Sequence, residues 1–285
     1  HTLETKKVVV EYHALDKFDQ YMDEVGLTGK RAVIYDTNTY NLPTLRHVRA
    51  DQEIVLNAEG LHSEKGMIED MMRQLDHPDV IVAVGSGTIM DFGRYPAYHL
   101  GIPFVAVPTL ASSDGFTANI CSIIIDGQKK SIPMQAAALV VCDLNVVSGA
   151  PLWLTVSGIS DILAKYISLA DWKIAHLVSG EYYCPMVADL AQEALTIMRK
   201  AADDMAAGGK PDFEAMTMAQ MISGLTMQLL NHSRAASGAE HLMAHLVEMK
   251  PPRFENAHGM HGQCVGVGTY LCANCLLYTS PSPRD

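Results

Sequence analysis

The chain has 285 residues, 48% of them hydrophobic, and a formal net charge of -11 at neutral pH. That length supplies a core for one large or two ordinary domains, and the acidic balance argues against a nucleic-acid partner. Apolar runs such as 80–84 are too short to span a bilayer and no charged-then-apolar leader opens the chain, so a soluble protein without a membrane span is expected. Six cysteines (121, 142, 184, 264, 272 and 275) are scattered through a chain large enough to need no staples, which points to reduced thiols and a cytoplasmic location. Cys272 and Cys275 form a single C-x-x-C, a weak zinc or redox signal without a second pair.

In chain order, the first half alternates short apolar runs with amphipathic segments, the signature of βα units around a parallel sheet. The pattern predicts strands at 32–35, 53–56, 80–84, 104–107 and 139–142, with helices near 62–75 and 88–99: a Rossmann-like α/β layer over residues 1–150. Between the last two strands, 122–125 and 130–132 flank Asp126-Gly127, a turn dipeptide that predicts a β-hairpin beside the sheet. Beyond Pro151 the segments become long and rich in Ala, Leu and Met. Helices are expected at about 155–177, 185–206, 212–230 and 236–248, with breaks at 208–211 and Lys250-Pro251-Pro252, giving an all-α C-terminal domain over 151–275. The sixteen methionines read as helix-core filler.

Three segments carry chemistry in the sheet half or at its junction. Gly85-Ser86-Gly87-Thr88-Ile89 follows the predicted strand at 80–84 and opens a helix, where free N–H groups and the helix dipole suit a pyrophosphate. It matches neither G-x-G-x-x-G nor a P-loop, and the same residues could form a plain βα turn. The next strand ends in Pro108-Thr109-Leu110-Ala111-Ser112-Ser113-Asp114-Gly115. Ligands of open α/β sheets bind beyond neighbouring strand ends, so the two loops nominate one crevice. There, hydroxyls could bond a nucleotide and Asp114 a substrate hydroxyl; an ordinary turn or cap is the alternative. Asp36, at a strand end, could bond an adenosine ribose, or Asn38-Thr39 could hold the adenine. In the helical half, Asp161 and Lys165 stand one turn apart in an apolar run, where an aspartate needs a partner: a cation, or Lys165 as a surface pair.

Five of the twelve histidines fall between His232 and His261. His241 and His245, four apart, share one face of a helix, and His261 follows in the glycine-flanked segment His258-Gly259-Met260-His261-Gly262. Imidazoles converging from a helix and a nearby loop are what a divalent transition metal needs; chance clustering of solvated or core histidines is the alternative.

Taken in order from Asp36-Thr37-Asn38-Thr39 through the glycine loop, Pro108–Gly115, Gly158–Lys165, Ser237–His245 and His258–Gly262, the chain resembles the dehydroquinate synthase-like, iron-containing alcohol dehydrogenase superfamily, and within it the sn-glycerol-1-phosphate dehydrogenases. The resemblance covers about residues 8 to 275. It implies Asp161, His241 and His261 as catalytic metal ligands for zinc, nickel or iron, and Asp114, His245 and Asp161 at the substrate. It further implies Gly85, Ser86, Gly87, Thr88 and Ile89 with Thr109, Leu110, Ala111 and Ser112 at NAD or NADP. The implied reaction interconverts dihydroxyacetone phosphate and sn-glycerol 1-phosphate, a small phosphorylated substrate, in a homodimer or larger homo-oligomer. One departure is Ala118, where the family usually has a serine touching the cofactor.

The rival readings are a glycerol or other polyol dehydrogenase, dehydroquinate synthase, whose pattern has glutamate at the place of Asp161, and a non-catalytic nucleotide- or metal-binding relative. Lys129, Lys130, Lys165 and Arg234, the cations that could recognise a phosphate, are not placed by sequence alone. The start at His1 and the composition of 276–285 lead to the expectation of a non-native tail and of a helical domain cut short at its C-terminus.

Overall fold

The computed structural model describes residues 2–249 and 259–279. The elements of the first half are β1 (Lys7–Glu11), α1 (Phe18–Glu24), β2 (Arg31–Asp36), α2 (Thr37–Tyr40), β3 (Gln52–Leu56), α3 (Lys65–Met72), β4 (Val80–Gly85), α4 (Gly87–Leu100), β5 (Phe104–Pro108), β6 (Ile120–Ile125), β7 (Gln128–Pro133), β8 (Leu139–Asp143) and α5 (Leu144–Val147). Six strands form one parallel sheet in the order β1-β8-β5-β4-β2-β3, and β6 and β7 form an antiparallel hairpin.

Strands β2, β4, β5 and β8 are buried at every position, as continuous apolar runs in a parallel sheet require. Their alternate side chains feed two cores. Ile34, Ile81, Ala83, Phe104 and Ala106 pack on one face, and Val33, Tyr35, Val82, Val105 and Val107 on the other. Strand β1 was not expected from sequence: its Val8-Val9-Val10 run forms an edge in which only Val9 is fully buried. The chain leaves β2 for β3 on one side and places β4 on the other, so the order reverses between β2 and β4. At such a switch point the crevice opens beyond the carboxyl ends of the strands.

The second half is helical: α6 (Leu152–Leu163), α7 (Lys165–Ser179), α8 (Pro185–Ala206), α9 (Phe213–Leu230), α10 (Ala239–Met249) and α11 (His261–Thr279). The single helix expected over 155–177 is two. At the junction the Lys165 side chain bonds the Asp161 carbonyl oxygen at 3.0 Å, and the Ile167 N–H bonds Ala164 O, one residue short of α-helical register. By length and composition alone Leu152–Ser179 could cross a membrane, but 56% of its apolar window is buried inside the protein, and it carries buried Asp161 and Lys165. His261 opens a helix and does not sit in a loop, and α11 runs on to Thr279. The expected break at Lys250-Pro251-Pro252, His258 and residues 280–285 of the expected 276–285 tail lie outside the described residues, and 276–279 continue α11.

Candidate active site between the sheet and the helices

The loops at the ends of β4 and β5 meet α10, α11 and the β6–β7 hairpin around a cleft of about 910 Å³. Ser86, Gly87 and Thr88 line it at the start of α4, with Ser112, Ser113 and Asp114 from the loop after β5. Gly85 lies beneath: a Cβ there would come within 2.9 Å of the Ile89 side chain, so the strand can turn directly into the helix only with glycine. Ile89, Thr109 and Ala111 are buried under the loops and shape them, and Leu110 is half-buried. Asn38 is exposed on α2, just beyond β2, and is not part of the cleft wall. Asp36 caps α2, accepting from the Thr39 N–H at 2.8 Å and its hydroxyl at 3.0 Å. That local bonding competes with the ribose contact its position suggests. Ala118 also lines the cleft, packed with Met227 and Ala236.

Across the cleft, Asp161, His241 and His261 offer ligand atoms that all lie within 4.8 Å of one another. Helix α6 supplies Asp161, α10 supplies His241, and α11 brings in His261 at its first residue. Close approach of α11 to α6 depends on Gly262, where a Cβ would come within 1.9 Å of the Ser157 carbonyl oxygen, one turn before Asp161. Likewise, a Cβ on Gly158 would strike the Ala111 carbonyl oxygen, so α6 packs directly under the loop that bears Asp114.

The tautomers are set from behind. The His241 ring meets Glu240 through Nδ1 at 2.8 Å, and the His261 ring meets Glu248 through Nδ1 at 2.6 Å. With those N–H groups bound to carboxylates, each neutral ring would leave its Nε2 lone pair free, the arrangement in which histidine binds a metal. His241 Nε2 lies 3.3 Å from Asp161 Oδ1, yet that oxygen makes no hydrogen bond and is fully buried. A buried carboxylate oxygen without a hydrogen bond, beside an imidazole nitrogen, suits a cation. Burial works against charge on both groups and loses. Lys165 first, then the two histidine rings, hold the Asp161 carboxyl well below the usual carboxylate range, and the Asp161 and Glu240 carboxylates hold the His241 proton affinity above its ordinary value.

Behind the ligands, Lys165 is fully buried, with Nζ 2.8 Å from Asp114 Oδ2. The Ser223 hydroxyl donates to the same oxygen at 2.8 Å, and the Asp114 N–H donates to Asp161 Oδ2 at 3.2 Å. Lys165 is therefore no surface partner of Asp161: it ties together the carboxylates of the sheet and helical halves. His245 faces the same cleft, its ring 5.8 Å from that of His261. Burial and then the positive charge of Lys129 push its pKa down to about 4, so the ring is neutral at physiological pH. Burial pulls Glu248 upward, but His261 and Lys129 outweigh it and hold the carboxyl down at about 2. All six cysteines are free; Cys272 and Cys275 lie on α11 without a second pair.

Glu240, Glu248, Ser223 and Lys129 were not singled out for these places by the sequence reading. One signal was available: His241, His245 and Glu248 are spaced i, i+4, i+7, a single helical face. Ser223 and Lys129 act across tertiary contacts that no local spacing shows, and Glu240, though adjacent to His241, reaches its ring only through the side-chain orientation the fold imposes.

A parallel nucleotide-type sheet joined to a helical half with an Asp-His-His cluster is the architecture of a metal-dependent dehydrogenase, and the chain belongs to the iron-containing alcohol dehydrogenase family, whose description matches residues 9–151. Curated relatives are more particular. A glycerol-1-phosphate dehydrogenase [NAD(P)+] of Geobacillus stearothermophilus is 39% identical over 75% of this chain and 53% of its own length, and that of Bacillus licheniformis is 34% identical over 95% and 70%. The chain thus spans between about half and 70% of these relatives. The fold is shared with glycerol dehydrogenase from Schizosaccharomyces pombe, at a TM-score of 0.74 and 22% identity over 97% of this chain and 72% of that one. A probable glycerol dehydrogenase from Sinorhizobium meliloti gives 0.75 and 22% over 93% and 75%.

Proposed function

We propose that this chain is a metal-dependent NAD(P)H oxidoreductase that interconverts dihydroxyacetone phosphate and sn-glycerol 1-phosphate, with a nucleotide-binding domain over 1–150 and a metal- and substrate-binding domain from 151. The observation that carries the reading is the buried Asp161, His241 and His261 cluster, with Asp161 Oδ1 left without a hydrogen bond, facing a cleft that continues to the glycine turn. The names of the curated relatives supply the substrate.

Asp161 Oδ1 and the Nε2 atoms of His241 and His261 would hold one divalent ion, and this mixed oxygen and nitrogen set suits zinc, nickel or iron. Such an ion would supply Lewis-acid polarisation of a carbonyl oxygen, and the nicotinamide would supply the hydride. The chain's own residues do the rest. Ser86, Gly87 and Thr88 present the α4 N-terminus to the pyrophosphate, and Ser112 adds a hydroxyl. Lys165 and Ser223 hold one oxygen of Asp114, which leaves the other to accept a bond from a substrate hydroxyl. His245, held neutral, donates one N–H to substrate and adds no charge beside the cation site. Six unpaired thiols fit a reducing, cytoplasmic setting.

The test is oxidation of NADH and NADPH by the zinc- or nickel-loaded protein with dihydroxyacetone phosphate beside unphosphorylated dihydroxyacetone. Preference for the phosphate ester is expected. Preference for dihydroxyacetone would move the assignment to a polyol dehydrogenase, and turnover of neither would refute it.

A further inference from the structure

A phosphate ester entering a chain with a net charge of -11 needs a local cation, and the structure separates the four named from sequence and a fifth, Arg94, at the cleft wall. Lys165 is fully buried and occupied by Asp114 and the Asp161 carbonyl. Arg234 pairs with Glu181 at 2.9 Å. Lys130 is exposed and, by strand alternation, points away from the side of β7 that carries Lys129 and Ser131 into the cleft. Arg94 touches the cleft wall but is buried, its guanidinium held by the carbonyls of Ile120 and Gly115.

Lys129 differs from all of these. It lines the cleft half-buried, with Nζ 2.6 Å from Glu248 Oε2, while the other Glu248 oxygen holds His261 at 2.6 Å. One carboxylate therefore fixes the ammonium beside the cation site. An ammonium has three N–H donors and the Glu248 bond uses one. On the same wall, Ser131 and its cross-strand partner Ser122 also line the cleft. In dihydroxyacetone phosphate, one methylene and one ester oxygen separate the carbonyl from phosphorus, so a carbonyl at the metal cluster leaves the phosphate close by.

Resting on the phosphate-ester reading above, we propose that Lys129, with the Ser131 hydroxyl beside it, is the specificity residue that recognises the substrate phosphate. Two of the three Lys129 N–H donors remain for the phosphate while the third holds Glu248, whose other oxygen keeps its bond to His261.

The experiment compares kcat/KM for dihydroxyacetone phosphate and dihydroxyacetone in the metal-loaded protein and its variants. Lys129→Met should lower the ratio of the two by about 10- to 100-fold, carried mainly by KM for the ester, as loss of a charge-assisted hydrogen bond predicts. Competitive inhibition by inorganic phosphate against the ester should weaken with it. Lys129→Gln should behave as Lys129→Met, Lys129→Arg should keep most of the selectivity, and Lys130→Met should leave the ratio unaltered. A ratio unchanged in both neutral variants, or equal losses on both ketones in variants that still bind NADH, overturns the assignment. Preference of the unsubstituted protein for dihydroxyacetone would instead refute the phosphate-ester reading itself, which distinguishes the two failures.

Discussion

The two walls of the cleft solve opposite problems. The sheet wall at Ser86–Thr88 and Ser112 is built from backbone N–H groups, hydroxyls and a glycine turn above an apolar core, and these three-residue and loop segments bring no ionised side chain until Asp114. The helical wall buries Asp161, Lys165, Glu240 and His241. Burying charge costs several kcal/mol per ion unless each is paired and hydrogen-bonded. The lesson is a division of labour. The sheet wall carries no buried charge in these segments, whereas the helical wall is a charge network held together by its internal pairs, which on the proposed function a cation would complete.

The largest break in that contrast is expected at the hub. Lys165→Ala leaves Asp114 and Asp161 as neighbouring buried carboxylates without their ammonium, at a cost of about 3 to 5 kcal/mol. Thermal melting of chelator-treated protein reads it, and a loss below about 1 kcal/mol would show that the network does not support the helical wall. A smaller effect is expected from Glu240→Gln, which keeps the shape but removes the carboxylate behind His241. Metal affinity should fall about 10- to 100-fold while NADH affinity is kept, measured by competition with a chelator dye. Equal loss of both would mean that Glu240 supports the fold as a whole and not the ligand.

Much of the sheet half is legible in the sequence because its signals are local. Five apolar runs became the inner strands and one edge, Asp126-Gly127 became the hairpin turn, and Gly85–Ile89 became the β4–α4 turn. The exception, β1, is an edge with one fully buried residue and so has a weak pattern. In the helical half the residues Asp161, His241 and His261 were legible as metal-ligand types, and the structure brings them together. Their supports were less so. At the break at Ala164, Lys165 reaches back to the Asp161 carbonyl, and Glu248 joins Lys129 to His261 across 119 and 13 residues of sequence. Such pairings follow from packing and are invisible to periodicity. Asp36, whose position suggested a ribose contact, also caps α2, a local role that its place at a strand end did not announce.

The central claim is that Asp161, His241 and His261 bind one divalent ion independently of the nucleotide wall. Elemental analysis of dialysed, metal-loaded protein beside Asp161→Asn and His245→Gln, with NADH binding measured by fluorescence on the same samples, tests it most directly. The account predicts about one equivalent of metal in the unsubstituted protein and in His245→Gln, almost none in Asp161→Asn, and NADH bound by all three. Full metal content in Asp161→Asn, or loss of metal from His245→Gln, would contradict it.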